Sequence, residues 1–116
     1  MKDLIKKHIL EHSLTLESIM EIDESIEKVS NIFIRCLERE GTIFCCGNGG
    51  IASDNSQHLT GELVGRFVGD RRPLKSMALN SDSAVMICIV NDHGYDHIFS
   101  RQIEALGSKG DVLVGI

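Results

Sequence analysis

Residues 41–66 read GTIFCCGNGGIASDNSQHLTGELVGR, an order that predicts a strand, a glycine turn and a helix. Residues 42–46 form a short apolar run with glycine on both sides, which is typical of a strand buried on both faces of a sheet. The Gly-Asn-Gly-Gly turn at residues 47–50 tolerates positive φ and lets a ligand approach the main chain. In open α/β sheets this junction lies at the carboxyl end of the strand, where helix N-terminal amides can hold an anion such as phosphate.

On the helix after this turn, His58 and Glu62 are four residues apart and therefore share one face. An imidazole nitrogen and a carboxylate oxygen at this spacing can bind one metal ion from a single helical face. Each signal has a simpler alternative. His58 and Glu62 could form an ordinary surface hydrogen-bonded pair, and the glycines could serve only a tight turn.

Composition limits the class of protein. A chain of 116 residues with 42% apolar content is long enough for one domain with a modest core. A net charge of −5 and the absence of tryptophan, with one tyrosine and four phenylalanines, argue against a nucleic-acid-binding surface. No segment approaches the ~18 apolar residues of a membrane span, and the N-terminus lacks a signal-like apolar region, so we expect a cytoplasmic protein.

The four cysteines show neither a CxxC pair nor a zinc-finger spacing. Because they fall inside apolar runs, buried and reduced thiols are expected rather than a disulfide or a catalytic role. The residues concerned are Cys36, Cys45, Cys46 and Cys88.

The first 40 residues predict two amphipathic helices. Apolar residues recur at helical spacing from Leu4 to about Met20. Asp23 is predicted to cap the second helix, which is expected to end at Gly41. The apolar positions of that helix are Ile26, Val29, Phe33, Cys36 and Leu37. Two such helices before the first strand must cover the sheet, each other or another subunit, so we expect part of their surface to form an oligomer interface.

Beyond residue 66 a polar connection is followed by alternating strands and helices. The predicted elements are a strand at 74–79, a turn with an N-cap at 80–83, a helix at 84–90, a polar loop at 91–96, a helix from about His97 to Gly107, and a third buried strand at 111–116. The alternation predicts an α/β fold of three layers, αβα, with a parallel sheet and right-handed crossovers. Because the chain ends at the carboxyl end of a strand, we expect the sheet to be truncated after its third strand.

Seven motifs occur in order along the chain: Cys46-Gly47-Asn48-Gly49-Gly50, Gln57-His58 with Glu62, Gly65-Arg66-Phe67, Asn80-Ser81-Asp82, Asn91-Asp92 with Gly94-Tyr95, residues 99–107, and residues 110–116. Together they resemble the phosphoheptose isomerases, which are sedoheptulose 7-phosphate isomerases of the sugar-isomerase (SIS) domain superfamily. The resemblance covers nearly the whole chain, including the N-terminal helices. It implies an SIS-type, flavodoxin-like parallel sheet.

The resemblance also implies a function. Members of the family are aldose-ketose isomerases that convert sedoheptulose 7-phosphate to D-glycero-D-manno-heptose 7-phosphate through an enediol. The product is a precursor of activated heptose for lipopolysaccharide or other surface glycans. The family forms homotetramers, which suggests that residues 1–40 are a helical oligomerisation segment and residues 41–116 the βαβαβ core of a single SIS domain. Such chemistry needs a carboxylate base and a group that stabilises the developing oxyanion.

By position, the resemblance makes His58 and Glu62 ligands of one zinc ion, with Glu62 also the catalytic base. The matched substrate-binding positions are Asn48, Gly49, Gly50, Glu62, Asn91 and Asp92. A stable zinc site needs roughly four ligands, counting water. In the family the remaining protein ligands are a Gln and a His from a C-terminal segment that these 116 residues do not include. Asp92 also has a structural alternative, as the cap of a helix starting near Tyr95.

Three departures from the family pattern bear on activity. The chain ends at Ile116, just before the serine-rich loop that holds the phosphate in the family, so we expect a truncated product or a fragment. Ile51 stands where the family usually has serine. The interval from Asn48 to His58 is one residue longer, with the extra residue near 54–55. Since a helix turns ~100° per residue, this insertion should swing His58 away from the turn unless a bulge or a shifted helix start absorbs it.

Three hypotheses follow. The first is an isomerase, or the N-terminal part of one, and Glu62 favours it because a pure binding module needs no base. The second is a non-catalytic SIS-domain subunit that binds a phosphosugar or a protein, like the relatives that bind the bacterial replication initiator and lack this Glu. The third is an inactive truncated isomerase. No nucleic-acid or membrane partner is expected, and a solvated loop is expected to hold Arg71, Arg72 and Lys75.

Overall fold

The computed structural model describes residues 1–116, which form two compact units, residues 1–32 and residues 33–116. The elements in chain order are α1 (Lys2–Ser18), a 3₁₀ turn (Ile19–Ile22), α2 (Asp23–Glu38), β1 (Ile43–Cys46), α3 (Gly50–Val64), β2 (Ser76–Ala78), α4 (Ser83–His93), a second 3₁₀ turn (Tyr95–His97), α5 (Ser100–Leu106) and β3 (Val112–Gly115). None of the helices combines the length and the apolar character that crossing a membrane requires.

The first unit is helical throughout, and α1 buries none of its residues. The predicted helix from Leu4 to about Met20 is confirmed in outline, although α1 gives way to the 3₁₀ turn after Ser18. That turn runs directly into α2, so Asp23 has helical backbone angles rather than the extended ones of a cap. Its carboxylate accepts a hydrogen bond from the adjacent Glu24 N–H at 2.7 Å. The prediction that Asp23 caps α2 from outside is therefore wrong.

The end of α2 is a Schellman motif in which Glu40, with φ of 60°, takes the left-handed position. The Gly41 N–H donates to the Cys36 carbonyl at 2.9 Å, and the Glu40 N–H donates to the Leu37 carbonyl at 3.3 Å. A Cβ on Gly41 would lie 2.8 Å from Cys36 Sγ. The prediction that a glycine ends this helix is confirmed. Gly41 is needed because a side chain there would clash with Cys36, whereas the positive φ belongs to Glu40.

The three strands form one parallel sheet in the order β2-β1-β3. Ile43 is aligned with Ser76 on one side and with Val112 on the other. All four residues of β1 are buried, which confirms the predicted strand buried on both faces. β2 is shorter than predicted, with three residues.

Helices cover both faces of β1, because alternate side chains of a strand point to opposite sides. On one face, Ile43 and Cys45 pack with Cys36 of α2. The partly buried residues around them include Phe33, Leu37, Leu59 and Leu63 from α2 and α3, and Val112 and Val114 from β3. On the other face, Phe44, Cys46 and Leu79 pack with Phe99 and Ile103. The predicted three-layer αβα arrangement is confirmed.

β3 is less buried than predicted. Its residues alternate between partly buried and exposed, and Leu113 is 52% exposed. Val112 and Val114 pack into the core on the α2 and α3 face, whereas the face that carries Leu113 is left open within these residues. The prediction that this strand is fully buried is therefore wrong.

α4 is longer than predicted. Asp82 accepts a hydrogen bond from the Val85 N–H at 3.0 Å, which confirms the predicted N-cap. At the other end, residues 91–93 form the last turn of α4 rather than a loop, and the helix ends at Gly94 with φ of 91°. Asp92 therefore lies inside α4 and cannot cap a helix that starts near Tyr95.

All four cysteines are free, and three of them, Cys36, Cys45 and Cys46, are buried as predicted. Cys88 is the exception because it lies on an exposed part of α4. Its Sγ is 3.6 Å from the Asp92 carboxylate, one turn further along the helix. The expectation that every cysteine is buried is wrong for this residue.

We expect iodoacetamide to modify Cys88 first and the other three cysteines only after unfolding. Burial raises the pKa of the Cys36 thiol, with a further rise from the nearby Asp111 carboxylate, and burial with the neighbouring Cys45 raises the pKa of the Cys46 thiol. A higher pKa leaves less of the reactive thiolate at a given pH below it. Peptide mass spectrometry after brief labelling measures this, and Cys88→Ser should remove the fast reaction. Equally fast labelling of Cys36 in the folded protein would contradict the expectation.

Candidate functional site

The glycine turn, residues 47–50, carries the chain from β1 into α3. Gly49 has φ of 108° and is the N-cap of α3. Gly47 is needed for a different reason, since a Cβ there would lie 2.5 Å from the carbonyl oxygen of Ala52 in the first turn of α3. Left-handed backbone at one glycine and close approach at the other make this abrupt connection possible.

Asn80, two residues after β2, binds the glycine turn through both main-chain polar groups of Gly47. Its Oδ1 accepts from the Gly47 N–H at 3.0 Å, and its Nδ2 donates to the Gly47 carbonyl at 2.7 Å. The hydroxyl of Ser56, which is fully buried, donates to the same Oδ1 at 3.0 Å. From the sequence, Asn80 is predicted as a turn residue and belongs to one of the seven motifs, without a predicted contact to the glycine turn. The signal that could have predicted this contact is the position of Asn80 just after a parallel strand next to β1, because the carboxyl ends of parallel strands meet at one edge of the sheet.

Tyr95 contacts the glycine turn from the end of α4. Its hydroxyl donates a hydrogen bond to Asn48 Oδ1 at 2.8 Å. Tyr95 belongs to one of the seven motifs, but no local pattern predicts a contact between residues 47 positions apart.

His58 and Glu62 face each other on α3, with 3.5 Å between Nε2 and Oε1. The His58 side chain is 74% exposed and that of Glu62 is 31% exposed. α3 is a continuous helix from Gly50 to Val64, so the extra residue near 54–55 produces no bulge. Both side chains border a cavity of about 560 Å³.

This cavity adjoins a second one, of about 440 Å³, at the glycine turn. Asn55 and Ile116 border both cavities, and we call the two together the α3 cleft. The predicted site residues in the cleft are His58 and Glu62 on one side and Asn48, Gly49 and Gly50 on the other. Ile51, where the family usually has serine, borders the turn side. His58 and Glu62 thus border the cavity next to the one at the turn, and Asn55 and Ile116 lie between the two.

Asn91 and Asp92 are not brought into the α3 cleft. Both are exposed in the last turn of α4, and neither borders either cavity. Within this segment, Tyr95 is the residue whose side chain contacts the glycine turn.

Arg71 borders the Glu62 side of the cleft and was not predicted as a site residue. Its guanidinium donates to the main-chain carbonyls of Glu62 and Leu63 at the end of α3. A cation at this position satisfies carbonyls that have no partner within the helix and complements the negative end of the helix dipole. Arg71 therefore fixes the main chain from which the Glu62 side chain projects.

A zinc ion requires three or four protein ligands, with water completing a catalytic site. His58 and Glu62 offer two donor side chains, and no group of three or more His, Cys, Asp or Glu side chains among residues 1–116 is placed to hold a metal ion. The donors present do not complete a zinc site.

The SIS domain family model matches residues 9–116 of this chain. The chain belongs to the SIS domain family. This SIS domain is 45% identical over 115 residues to a phosphoheptose isomerase of Helicobacter pylori strain 26695. The aligned region covers 98% of this chain and 59% of that relative. It is also 45% identical over 117 residues to the phosphoheptose isomerase of Aliarcobacter butzleri strain RM4018, covering 100% of this chain and 61% of the relative.

Solved structures show the same fold. A phosphoheptose isomerase from Neisseria gonorrhoeae superimposes with a TM-score of 0.85 at 34% identity, over 98% of this SIS domain and 59% of that chain. One from Francisella tularensis gives a TM-score of 0.83 at 30% identity, over 99% and 61%. The resemblance seen in the motifs is confirmed. This SIS domain spans about three fifths of the length of these relatives.

Proposed function

We propose that this SIS domain is an aldose-ketose isomerase that converts sedoheptulose 7-phosphate to D-glycero-D-manno-heptose 7-phosphate, a precursor for lipopolysaccharide or other surface glycans. The observation that carries the proposal is the α3 cleft, in which a carboxylate and a glycine turn border adjoining cavities. Similarity to phosphoheptose isomerases along nearly all of this chain supports the substrate class.

In the proposed reaction Glu62 is the base. It removes a proton from carbon 1 of the ketose while the carbonyl oxygen on carbon 2 gains a proton, which gives an enediol. Loss of the proton on oxygen 1 then forms the aldehyde, and Glu62 returns its proton to carbon 2. Bonds and electrons balance without an oxidant or a reductant. A carboxylate suits this role because it can accept and return the same proton from one position.

Asn48, Gly49 and Gly50 are proposed to bind the sugar phosphate on the other side of the cleft. Their support is the second cavity, which all three residues border. The proposed substrate contacts of Asn91 and Asp92 rest on the family resemblance alone.

For zinc, we propose that His58 and Glu62 are two of the ligands and that the others come from outside these 116 residues. Because two ligands bind zinc weakly, we expect equilibrium dialysis of this chain to retain well under one ion per chain. His58→Ala should lower that small amount further. His8→Ala is the matched control, since His8 also lies beside a glutamate on an exposed helix face, 3.1 Å from Glu11. Tight stoichiometric binding would refute the proposal that the other ligands come from outside these 116 residues, and equal effects of the two substitutions would refute His58 as a ligand.

We also propose that the chain forms a homo-oligomer, a tetramer by resemblance to the family. Exposed apolar side chains in α1 support this, because burying apolar surface favours association. Among them are Leu4, Ile5, Ile9, Leu10, Leu14 and Leu16, which are 52–62% exposed.

The second candidate is a non-catalytic SIS subunit, or an inactive truncated isomerase, that still binds phosphosugar. One experiment separates the two. The purified chain is incubated with sedoheptulose 7-phosphate in D₂O and followed by NMR. Aldose product, or deuterium entering carbon 1 of the ketose, supports the isomerase. Ligand binding without exchange supports the second candidate, and neither binding nor exchange overturns both.

A further inference from the structure

The contact between Tyr95 and Asn48 joins the end of α4 to the glycine turn. The Tyr95 hydroxyl donates to Asn48 Oδ1 at 2.8 Å, and no other hydrogen bond involves the Asn48 side chain. Asn48 borders the turn side of the α3 cleft. Its amide nitrogen, Nδ2, therefore remains available to a ligand.

Tyr95 is held in place by its own backbone. Gly94 ends α4 with φ of 91°, a conformation that other residues adopt rarely, and its N–H donates to the Val90 carbonyl at 3.0 Å. The 3₁₀ turn that follows is closed by the Ile98 N–H, which donates to the Tyr95 carbonyl at 3.2 Å. Ile98 is only 3% exposed and anchors this segment in the core. The phenol ring is thus presented from a fixed turn.

A side-chain amide has one oxygen that accepts and one nitrogen that donates, and its last torsion has two orientations that exchange the two atoms. In this structure the Tyr95 hydroxyl donates to the amide oxygen, so the oxygen is turned toward Tyr95 and the amide nitrogen is the end with no protein partner. An N–H donor left in this way suits a ligand that presents acceptor oxygens, such as a phosphate or a sugar oxygen.

We propose that Tyr95 is a positioning residue that orients the Asn48 amide so that the glycine turn presents donors to acceptor oxygens of the ligand. The identity of the ligand rests on the proposed function, whereas the orientation of the amide does not. Tyr95→Phe keeps the ring and removes the hydroxyl. We expect it to weaken sedoheptulose 7-phosphate binding by about three- to tenfold, which corresponds to one net hydrogen bond.

A double-mutant cycle tests the coupling by calorimetric titration with sedoheptulose 7-phosphate. Tyr95→Phe should weaken binding when Asn48 is present and have no further effect on Asn48→Ala. Asp96→Asn, the neighbouring exposed position, is the control and should leave affinity unchanged. Equal weakening in both backgrounds, or unchanged affinity in Tyr95→Phe, would overturn the positioning role.

A second measurement does not depend on the proposed function. NMR of the side-chain amides, with Asn48 assigned from Asn48→Ala, should show that Tyr95→Phe shifts the Asn48 N–H₂ signals. The Asn80 signals should stay unchanged. If the wild-type chain binds no phosphosugar, the proposed function fails while the amide signals still test the contact between Tyr95 and Asn48. Unchanged Asn48 signals would overturn the inference whatever the ligand.

Discussion

Glu62→Gln is expected to lower the rate of deuterium exchange at carbon 1 of sedoheptulose 7-phosphate by roughly a hundredfold to ten-thousandfold, the usual contribution of a general base. Glutamine has nearly the same shape as glutamate but cannot take up the proton. The Glu62 side chain is partly exposed and makes its one polar contact with the exposed His58 side chain. The free energy of unfolding should therefore change by no more than about 0.5 kcal/mol. Exchange followed by NMR and unfolding followed by circular dichroism measure the two quantities.

Glu104→Gln is the matched control, because Glu104 is also an exposed helical glutamate, with Arg101 3.7 Å away. It lies on α5 and borders neither part of the α3 cleft. Its exchange rate should equal that of the wild type. An undiminished rate in Glu62→Gln would exclude Glu62 as the base, and an equal loss in both variants would indicate a general effect of charge.

Gly47→Ala is expected to destabilise the fold by about 3 kcal/mol, at the upper end of the cost of overpacking. The new Cβ would lie 2.5 to 2.7 Å from the carbonyl oxygen, carbonyl carbon and Cβ of Ala52. These atoms belong to the first turn of α3 and cannot move aside as a flexible side chain would. The Gly47 peptide groups are also fixed by two hydrogen bonds to Asn80, so a shift of the turn would lengthen them.

Gly61→Ala is the control for this substitution. Gly61 lies inside α3, and a Cβ there would meet no atom within 4 Å. Because alanine favours the helix over glycine, stability should stay the same or rise by up to about 1 kcal/mol. Urea unfolding of the two variants beside the wild type gives the comparison. Wild-type stability in Gly47→Ala would show that the turn relaxes without cost.

Local patterns were reliable where the physical cause is local. The apolar run of β1, the glycines that follow it and an N-cap within residues 80–83 each act through neighbouring residues, and the structure has all three, with Asp82 as the cap. The prediction failed where burial depends on what lies opposite. Cys88 and Leu113 both lie in apolar runs, yet within residues 1–116 no other element covers either of them.

The sequence by itself determined the order of strands and helices, the glycine turn and the shared face of His58 and Glu62, since these depend on spacing and on backbone preference. Only the tertiary structure showed that the Asn80 side chain is hydrogen-bonded to the Gly47 main chain and that the Tyr95 hydroxyl is hydrogen-bonded to Asn48. Those partners lie 33 and 47 residues apart. They meet because β2 is aligned beside β1 and because Gly94 turns the chain at the end of α4, and neither effect can be read from a short stretch of sequence.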